Sequence, residues 1–250
     1  MLAVRFDLNT VADFLFDPII LRALRETLYI ALLAMVVGVV LGVVLAVMRV
    51  SRNPLAAGLA GAHVWFWRAT PVVLQLLLMY FGLRQFIEND LFRDNWTRWR
   101  AAVITFGLNE AAYMAEIVRA GILSVEAGQM DAAKSLGMTN LQAMRRIILP
   151  QALRVIVPPT GNEFVAMLKN TSVAFAIGVV ELLNAAKIQA ARSFQVMELY
   201  TVAALWYLVV VSAFSVLQAE VERLLAATER ERPQTLFSRA MAILGASRQR

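Results

Sequence analysis

Long uncharged runs dominate the chain. Thr27 to Met48 carries no charge, and at about 1.5 Å per residue it is roughly 33 Å long, enough to cross a hydrocarbon core of about 30 Å. Leu199 to Ala219, fenced by Glu198 and Glu220, predicts a second span of the same kind. Between them every apolar segment contains an ionisable residue. Asn53 to Leu83 holds only Arg68, followed by Thr70 and Pro71. Proline disfavours helix in the residue before it and is well tolerated in a first turn. The pattern therefore predicts a short membrane-surface helix up to about Arg68 and a new span from Pro71. Ala101 to Val118, interrupted by Glu110 and Glu116, predicts a further span. So does Pro158 to Val180, interrupted by Glu163 and Lys169, with Pro158-Pro159 expected to break the helix at its start. The fold class that follows is an all-α membrane protein of five transmembrane helices, with its termini on opposite sides.

The segment from Arg119 to Arg154 is too polar to span. Gln129 to Leu136 has helical spacing, and Gly137 follows where a left-handed C-terminal cap is wanted. Thr139 and Gln142 form the T-x-x-Q pattern of a capping box, opening a second helix with Leu141, Met144, Ile147 and Ile148 on one face. Pro150 follows. The expectation is a helix, a tight turn and a second helix at the cytoplasmic surface, with Ala132 and Ala133 presenting a side slim enough for a partner's groove. Periodicity alone equally allows an amphipathic connector resting on headgroups.

Composition agrees with a membrane protein: 60% of the 250 residues are apolar and 17% charged, and the mean hydropathy is +0.63. The absence of cysteine excludes disulfides, thiolate metal sites and a cysteine nucleophile, and His63 alone makes a histidine-built zinc site or triad improbable. The net charge of +6 is read as a topology signal and not as a nucleic-acid footprint. With the N-terminus outside, the cytoplasmic segments hold thirteen Lys and Arg against nine outside, so N-out and C-in is favoured. A signal peptide does not fit, because the first residues carry Arg5, Asp7, Asp13, Asp17, Arg22, Arg25 and Glu26. The domain reading is an external N-terminal segment at 1–25, a transmembrane domain at 26–224 and a cytoplasmic tail at 225–250. The tail includes an amphipathic stretch at Leu236–Leu244.

Four ordered motifs add a family. Asp131-Ala132-Ala133, three residues, Gly137, nine residues and Ile147-x-Leu149-Pro150, with Glu126-Ala127-Gly128-Gln129 upstream, resemble the EAA loop of permease subunits in type I ATP-binding-cassette importers. Asp131 stands where that loop usually has Glu. Arg68-x-Thr70-Pro71-x-x-x-Gln75, Ala112-Tyr113-x-Ala115-Glu116-x-x-Arg119 and Lys169-x-Thr171-Ser172 resemble segments of the branch that imports polar amino acids. The resemblance covers roughly residues 20 to 225. It implies the type-1 transmembrane fold and a loop of Glu126, Gly128, Asp131, Ala132, Ala133, Gly137 and Met138 that docks on an ATPase. The partners it implies are two ATPase subunits, a second permease subunit, alike or related, and an extracytoplasmic amino-acid-binding protein. The implied location is the inner cell membrane of a prokaryote. No G-x-x-x-x-G-K-[ST] loop is present, so ATP with its Mg belongs on the partner and this chain needs no cofactor, metal or catalytic residue of its own.

Charges within spans cost roughly 2.5 to 3.5 kcal/mol each on insertion scales, so each wants a partner or a pathway. Glu116 and Arg119, at i and i+3, are read as a structural pair. Arg68, at an interface, is read as snorkelling or meeting a lipid phosphate. Glu163 and Lys169 are six residues and hence about 120° apart on a straight helix, so they should not satisfy one another. Glu110, Glu163 and Lys169, with Gln75, Asn109, Asn162, Asn170, Thr171 and Ser172, are substrate-path candidates, because a zwitterionic amino acid needs both donors and acceptors. A polar network holding helices together is the competing reading for each. Glu110 stands where the resembling family more often has a small residue and is the preferred selectivity group. Gly38-x-x-x-Gly42 permits close helix packing, read as internal to the subunit.

A membrane-embedded enzyme would need paired aspartates, a Ser-His dyad or an H-E-x-x-H helix, and no span holds an Asp. A stand-alone secondary transporter would usually show inverted repeats, which five unrepeated spans do not. A transport channel driven by a separate ATPase is the leading reading.

Overall fold

The computed structural model describes residues 6–226; the stretch expected at Leu236–Leu244, and Arg230, Arg232, Arg239, Arg248 and Arg250 of the orientation count, lie outside them. All regular structure among the described residues is helical. A short α1 (Leu8–Leu15) precedes α2 (Pro18–Val50). Asp17 caps α2 by accepting the Ile19 N–H at 2.7 Å, and Pro18 sits in the first turn, so the helix starts ahead of the uncharged run. Asn53 opens α3 (Pro54–Ala69) in the same way, accepting from Leu55 N–H at 3.0 Å. Thr70 and Pro71 are extended, and the chain bends by 109° into α4 (Val72–Leu77), a π-helical turn at Leu78–Gly82 and α5 (Leu83–Phe86). The break falls where Thr70-Pro71 predicted it.

Next come α6 (Asp90–Asn95), α7 (Arg98–Leu123), α8 (Ala127–Ser135) and α9 (Asn140–Ala143). From α9 the chain runs on through a π-helical turn at Met144–Ile148, α10 (Leu149–Asn170) and a 3-10 segment at Thr171–Ile177. Gly178, at φ 77°, ends it, and α11 (Leu182–Ser193) leaves at 51° before α12 (Val196–Ala226). Of these helices, α2, α7 and α12 are each long and apolar enough to cross a membrane, and the two bent pairs raise the number to as many as five.

One sequence expectation is corrected. Pro158-Pro159 does not break the helix; both lie inside α10. A proline in a helix interior removes an amide donor and strands a carbonyl, which neighbouring side chains can re-satisfy in a helix bundle. The carbonyls that lose their helical N–H lie four residues back, at positions 154 and 155, and one turn further on Gln218 of α12 donates to the Pro158 carbonyl at 3.2 Å, tying α12 to α10 beside the prolines. Pro150 does not stop the second loop helix either. The π turn just before it shifts the hydrogen-bond register, with Leu149 N–H donating to Met144 O, and Gln151 Nε2 reaches the Ile147 carbonyl at 2.9 Å.

The centre of the fold is the face between α2 and α7, which small residues bring together. A Cβ at Gly38 would run into the Glu110 side chain, one at Gly42 into Met114 and one at Gly107 into Val37. The Gly38/Gly42 stripe therefore packs inside the subunit. Buried Ala31 and Ala34 of α2 and Ala111 and Ala115 of α7 extend the same close contact. A second core, not foreseen, joins α1, the start of α2, α11 and α12 through Ile20, Leu24, Leu182, Leu199 and Val202.

Candidate functional site

The outward faces of the long helices differ in chemistry. From Leu32 to Val47 the exposed side of α2, made by Leu32, Leu33, Val36, Val40, Val43, Val44 and Val47, is wholly apolar, as a lipid-facing surface requires. A groove of about 520 Å³ between α2, α10 and α12 is lined almost entirely by apolar residues, among them Met35, Val39, Phe164 and Phe214. On α7, by contrast, a partly exposed polar stripe at helical spacing, Asn109, Tyr113 and Glu116, runs beside the partly exposed Leu108 and Ile117. Polar groups at bilayer depth face protein or a water-filled path and not lipid.

Glu110 lies beside this stripe, is 3% exposed, and its Oε1 is buried without a hydrogen-bond partner. α7 and α10 run antiparallel, with Gly121 of α7 against Ala152 and Ile156 of α10. At about 1.5 Å per residue, Glu163 lies roughly 10.5 Å beyond Ile156 and thus level with Met114. It is within electrostatic reach of both Glu110 and Arg68. Arg68, at the end of α3, rests over the Tyr113 ring at 5.3 Å. Glu116 is held by Arg119 at 2.8 Å and also by Arg49 of α2 at 3.2 Å, a cross-helix contact that the i,i+3 reading did not contain. These residues form a file of charges: Glu110, Glu163, Arg68, Glu116, and the pair Arg49 and Arg119.

The remaining path candidates divide. Gln75, 2% exposed, donates to the Trp67 carbonyl at 2.8 Å and the Thr70 hydroxyl at 2.7 Å, and accepts from Asn109 Nδ2 at 2.9 Å. Asn109 Nδ2 also meets the Trp67 carbonyl at 3.1 Å. Both side chains are occupied with the backbone that the Thr70-Pro71 break leaves free. Asn162 is exposed and accepts from Gln218 at 3.0 Å. Thr171 is fully buried, its hydroxyl donating to Leu168 O at 2.8 Å. Lys169 and Asn170 are exposed at the end of α10, and Ser172 is half-buried in the 3-10 segment. Among the described residues Glu163 and Lys169 form no ion pair with each other.

The loop between α7 and α10 has the local geometry its sequence predicts. Gly137, at φ 78°, closes α8 with Gly137 N–H on Lys134 O at 2.9 Å and Met138 N–H on Ala133 O at 3.1 Å, the paired bonds of a Schellman cap. The capping box is complete: Thr139 Oγ1 accepts from Gln142 N–H at 3.3 Å, and Thr139 N–H donates to Gln142 Oε1 at 2.9 Å. Glu126, Gly128, Asp131, Ala132 and Gly137 are exposed and Met138 is half-buried. Ala133 corrects the expectation of a two-alanine outer side: it is 4% exposed and faces inward. Adjacent helical residues point about 100° apart, so where α8 is packed on one side only one of the two can remain outside.

Sequence reading missed a buried polar knot. Glu181 is fully buried and caps α11, accepting from Leu183 N–H at 2.9 Å, Asn184 N–H at 2.8 Å and Tyr207 Oη at 3.1 Å. Thr27 accepts from Leu182 N–H at 3.1 Å, tying α2 to the same helix start. Gly178 followed by an acidic residue and an alanine-rich stretch was the available signal. Glu198, 2% exposed, accepts from Asp7 N–H at 3.1 Å and anchors α1 to α12.

Known proteins with this arrangement are permeases. The arginine transport system permease of Corynebacterium glutamicum is 44% identical over 244 residues, covering 94% of this chain and 76% of that protein. The glutamine transport system permease of Escherichia coli K12 is 34% identical over 206 residues, covering 82% and 92%. The crystal structure of an amino acid ABC transporter with histidines superposes with a TM-score of 0.79 at 36% identity, over 88% of this chain and 99% of the other. An inward-facing methionine ABC transporter, at 21% identity and a TM-score of 0.67, shares the fold. Residues 38–226 match the family described as binding-protein-dependent transport system inner membrane component. Membership makes the chain a multi-pass permease of the inner membrane, working with a binding protein and leaving ATP hydrolysis to an ATPase partner. With the type-1 permease fold and the family match together, the chain belongs to the inner-membrane components of binding-protein-dependent ABC transport systems.

Proposed function

We propose that this chain, paired with a second permease subunit, lines the path by which a cationic amino acid enters the cell. The observation that carries this reading is the acidic pair formed by Glu110, buried at the α2–α7 seam, and Glu163, half-buried on α10. Glu110 has a buried, unpartnered oxygen, and Glu163 stands within its electrostatic reach. Two carboxyls placed together at bilayer depth, with no cation in contact, suit a substrate that brings its own positive charge. The similarity to an arginine permease and to a transporter crystallised with histidines points the same way. Lys169, Asn170 and Ser172, at the far end of α10, supply donors for the carboxylate of the same substrate, and Thr171, buried with its hydroxyl on Leu168 O, supports that turn from within. Gln75, Asn109 and Asn162 shape the path by holding backbone and neighbouring helices.

The orientation that fits is N-terminus outside and C-terminus inside. Arg49 and Arg119 lie near the ends of α2 and α7 next to α8, so basic residues gather where the loop lies. On that side Glu126, Gly128, Asp131, Ala132, Gly137 and Met138 meet one of two ATPase subunits carrying ATP and Mg, and Ala133 supports them from within. Closure of the ATPases then biases the spans between inward and outward access.

Reconstitution of the complete complex in proteoliposomes tests the proposal. Uptake that needs ATP and the binding protein, and that favours arginine over glutamine and glutamate, is expected. Replacing Glu110 by Gln should lower arginine uptake about tenfold, the loss of roughly 1.4 kcal/mol. Uptake confined to neutral or acidic amino acids, or a Glu110→Gln complex with unchanged rate and substrate range, would overturn it.

A further inference from the structure

Arg68 and Glu163 form an unusual pair of neighbours. Arg68 ends α3 just before the 109° bend, and its guanidinium lies on the Tyr113 ring at 5.3 Å without a contact ion pair among the described residues. Two carboxylates are within its electrostatic reach. One, Glu116, is already held by Arg119 at 2.8 Å and Arg49 at 3.2 Å. The other, Glu163, has no contact partner among the described residues and comes from α10 to the level of Tyr113 and Met114. An uncommitted cation and an uncommitted carboxylate thus approach the same space from opposite sides.

We propose that Arg68 is the resident counter-cation of the path, neutralising Glu163 while the path is empty and yielding it to the positive side chain of a cationic amino acid in transit. The inference rests on the cationic reading given above. A lone carboxylate at this depth is costly, so something must neutralise it between transport events. A guanidinium parked on an aromatic face is well suited to that task. A cation–π contact at an exposed site is worth only about 0.5–1 kcal/mol, so Arg68 can swing toward Glu163 and back again at little cost. Four rotatable bonds leave its side chain free to move, while Glu116, saturated by two other arginines, does not hold it. Competition between Arg68 and substrate for one carboxylate lowers the affinity of the path for cargo and speeds release. That is useful in an importer, where a binding protein supplies the tight capture. Arg68 is therefore a positioning residue, acting through Glu163.

The test is equilibrium binding of radiolabelled arginine to the purified permease–ATPase complex, alongside uptake in proteoliposomes. Arg68→Gln should bind arginine about five- to tenfold more tightly and turn over more slowly, with glutamine binding unchanged. Arg68→Lys, which keeps the charge, should behave like the wild type and separates lost competition from lost folding. In a Glu163→Gln background, Arg68→Gln should add nothing, because the shared carboxylate is gone. If the wild-type complex binds arginine and Arg68→Gln leaves that affinity unchanged or weakens it, the inference fails alone. A gain of equal size in the Glu163→Gln background also overturns it. If the wild-type complex binds no cationic amino acid, the functional reading falls and this inference falls with it.

Discussion

Gln218 of α12 donates to the Pro158 carbonyl of α10 at 3.2 Å, with its amide stacked against the space where Gly161 lacks a side chain. The same nitrogen meets Asn162 Oδ1 at 3.0 Å and Glu222 Oε1 at 2.8 Å. One side chain thus stitches α12 to the turn of α10 that two prolines weaken. Replacing Gln218 by Leu should lower thermal stability in detergent by about 1–3 kcal/mol, because the bonds tying α12 to α10 are lost and Asn162 Oδ1 and Glu222 Oε1 lose their shared donor. Gly161→Ala should have a similar effect by displacing the Gln218 amide. An unchanged melting temperature for both variants would mean that the Gln218 contacts contribute nothing to stability.

The close approach of α2 to α7 gives a second prediction. Gly42→Ala places a methyl against Met114 Cβ, with Ala111 O and Ala115 N both at 3.2 Å. Overpacking of this kind costs about 1–3 kcal/mol. The loss should appear as a lower melting temperature of the isolated permease in detergent. Gly58→Ala, inside α3 with nothing within 4 Å, is the control and should not destabilise, with a gain of up to about 1 kcal/mol from helix propensity.

Opposite outcomes are expected at the two alanines of the loop. Ala132 is exposed, so Ala132→Trp should leave the permease folded and abolish co-purification with its ATPase. Ala133 is buried, so Ala133→Trp should lower the stability of the permease itself. Gly137→Val should also disturb the loop, since a β-branched residue is strained at φ 78°. Pull-down of the ATPase and thermal denaturation, measured side by side, distinguish docking from folding effects.

Glu181 should prove a structural keystone of the unforeseen core. Glu181→Ala removes the cap of α11 and the partner of Tyr207 together, an expected loss of about 1–3 kcal/mol. Tyr207→Phe removes one of those bonds and should cost less, and the double variant should cost less than the sum. Strict additivity in thermal melts would mean that the two groups do not interact.

The attachment of α1 should depend on pH. Asn9 N–H at 3.0 Å and the Thr10 hydroxyl at 2.9 Å hold the Asp7 carboxyl below the usual carboxylate range. A depressed native value means that the ionised form contributes to folding above the ordinary aspartate range, and that this contribution is lost as pH falls through the depressed value. Hydrogen exchange of α1 amides should therefore accelerate in acid relative to neutral pH, and Asp7→Asn should flatten that dependence.

Much of this molecule was legible in its residues. Uncharged runs located α2 and α12, Thr70-Pro71 located the sharp bend, and Gly137 with Thr139 and Gln142 located both caps of the loop, because each depends on local sterics and hydrogen bonding. Other features depend on what packs from elsewhere in the chain. Pro158-Pro159 reads as a break until α2, α7 and α12 pack around α10 and hold the helix through them. Ala132 and Ala133 look alike until α8 is packed on one side. Glu181 and Glu198 look like loop charges until α1, α2 and α12 enclose them. The polar path shows the same division. Sequence alone identified Glu110, Glu163 and Lys169 as charges within spans and put Arg68 at an interface. Only the antiparallel contact of α7 and α10, beside the bent end of α3, brought Glu163 within electrostatic reach of Glu110 and Arg68, because charge at membrane depth is decided by partners that lie far apart along the chain.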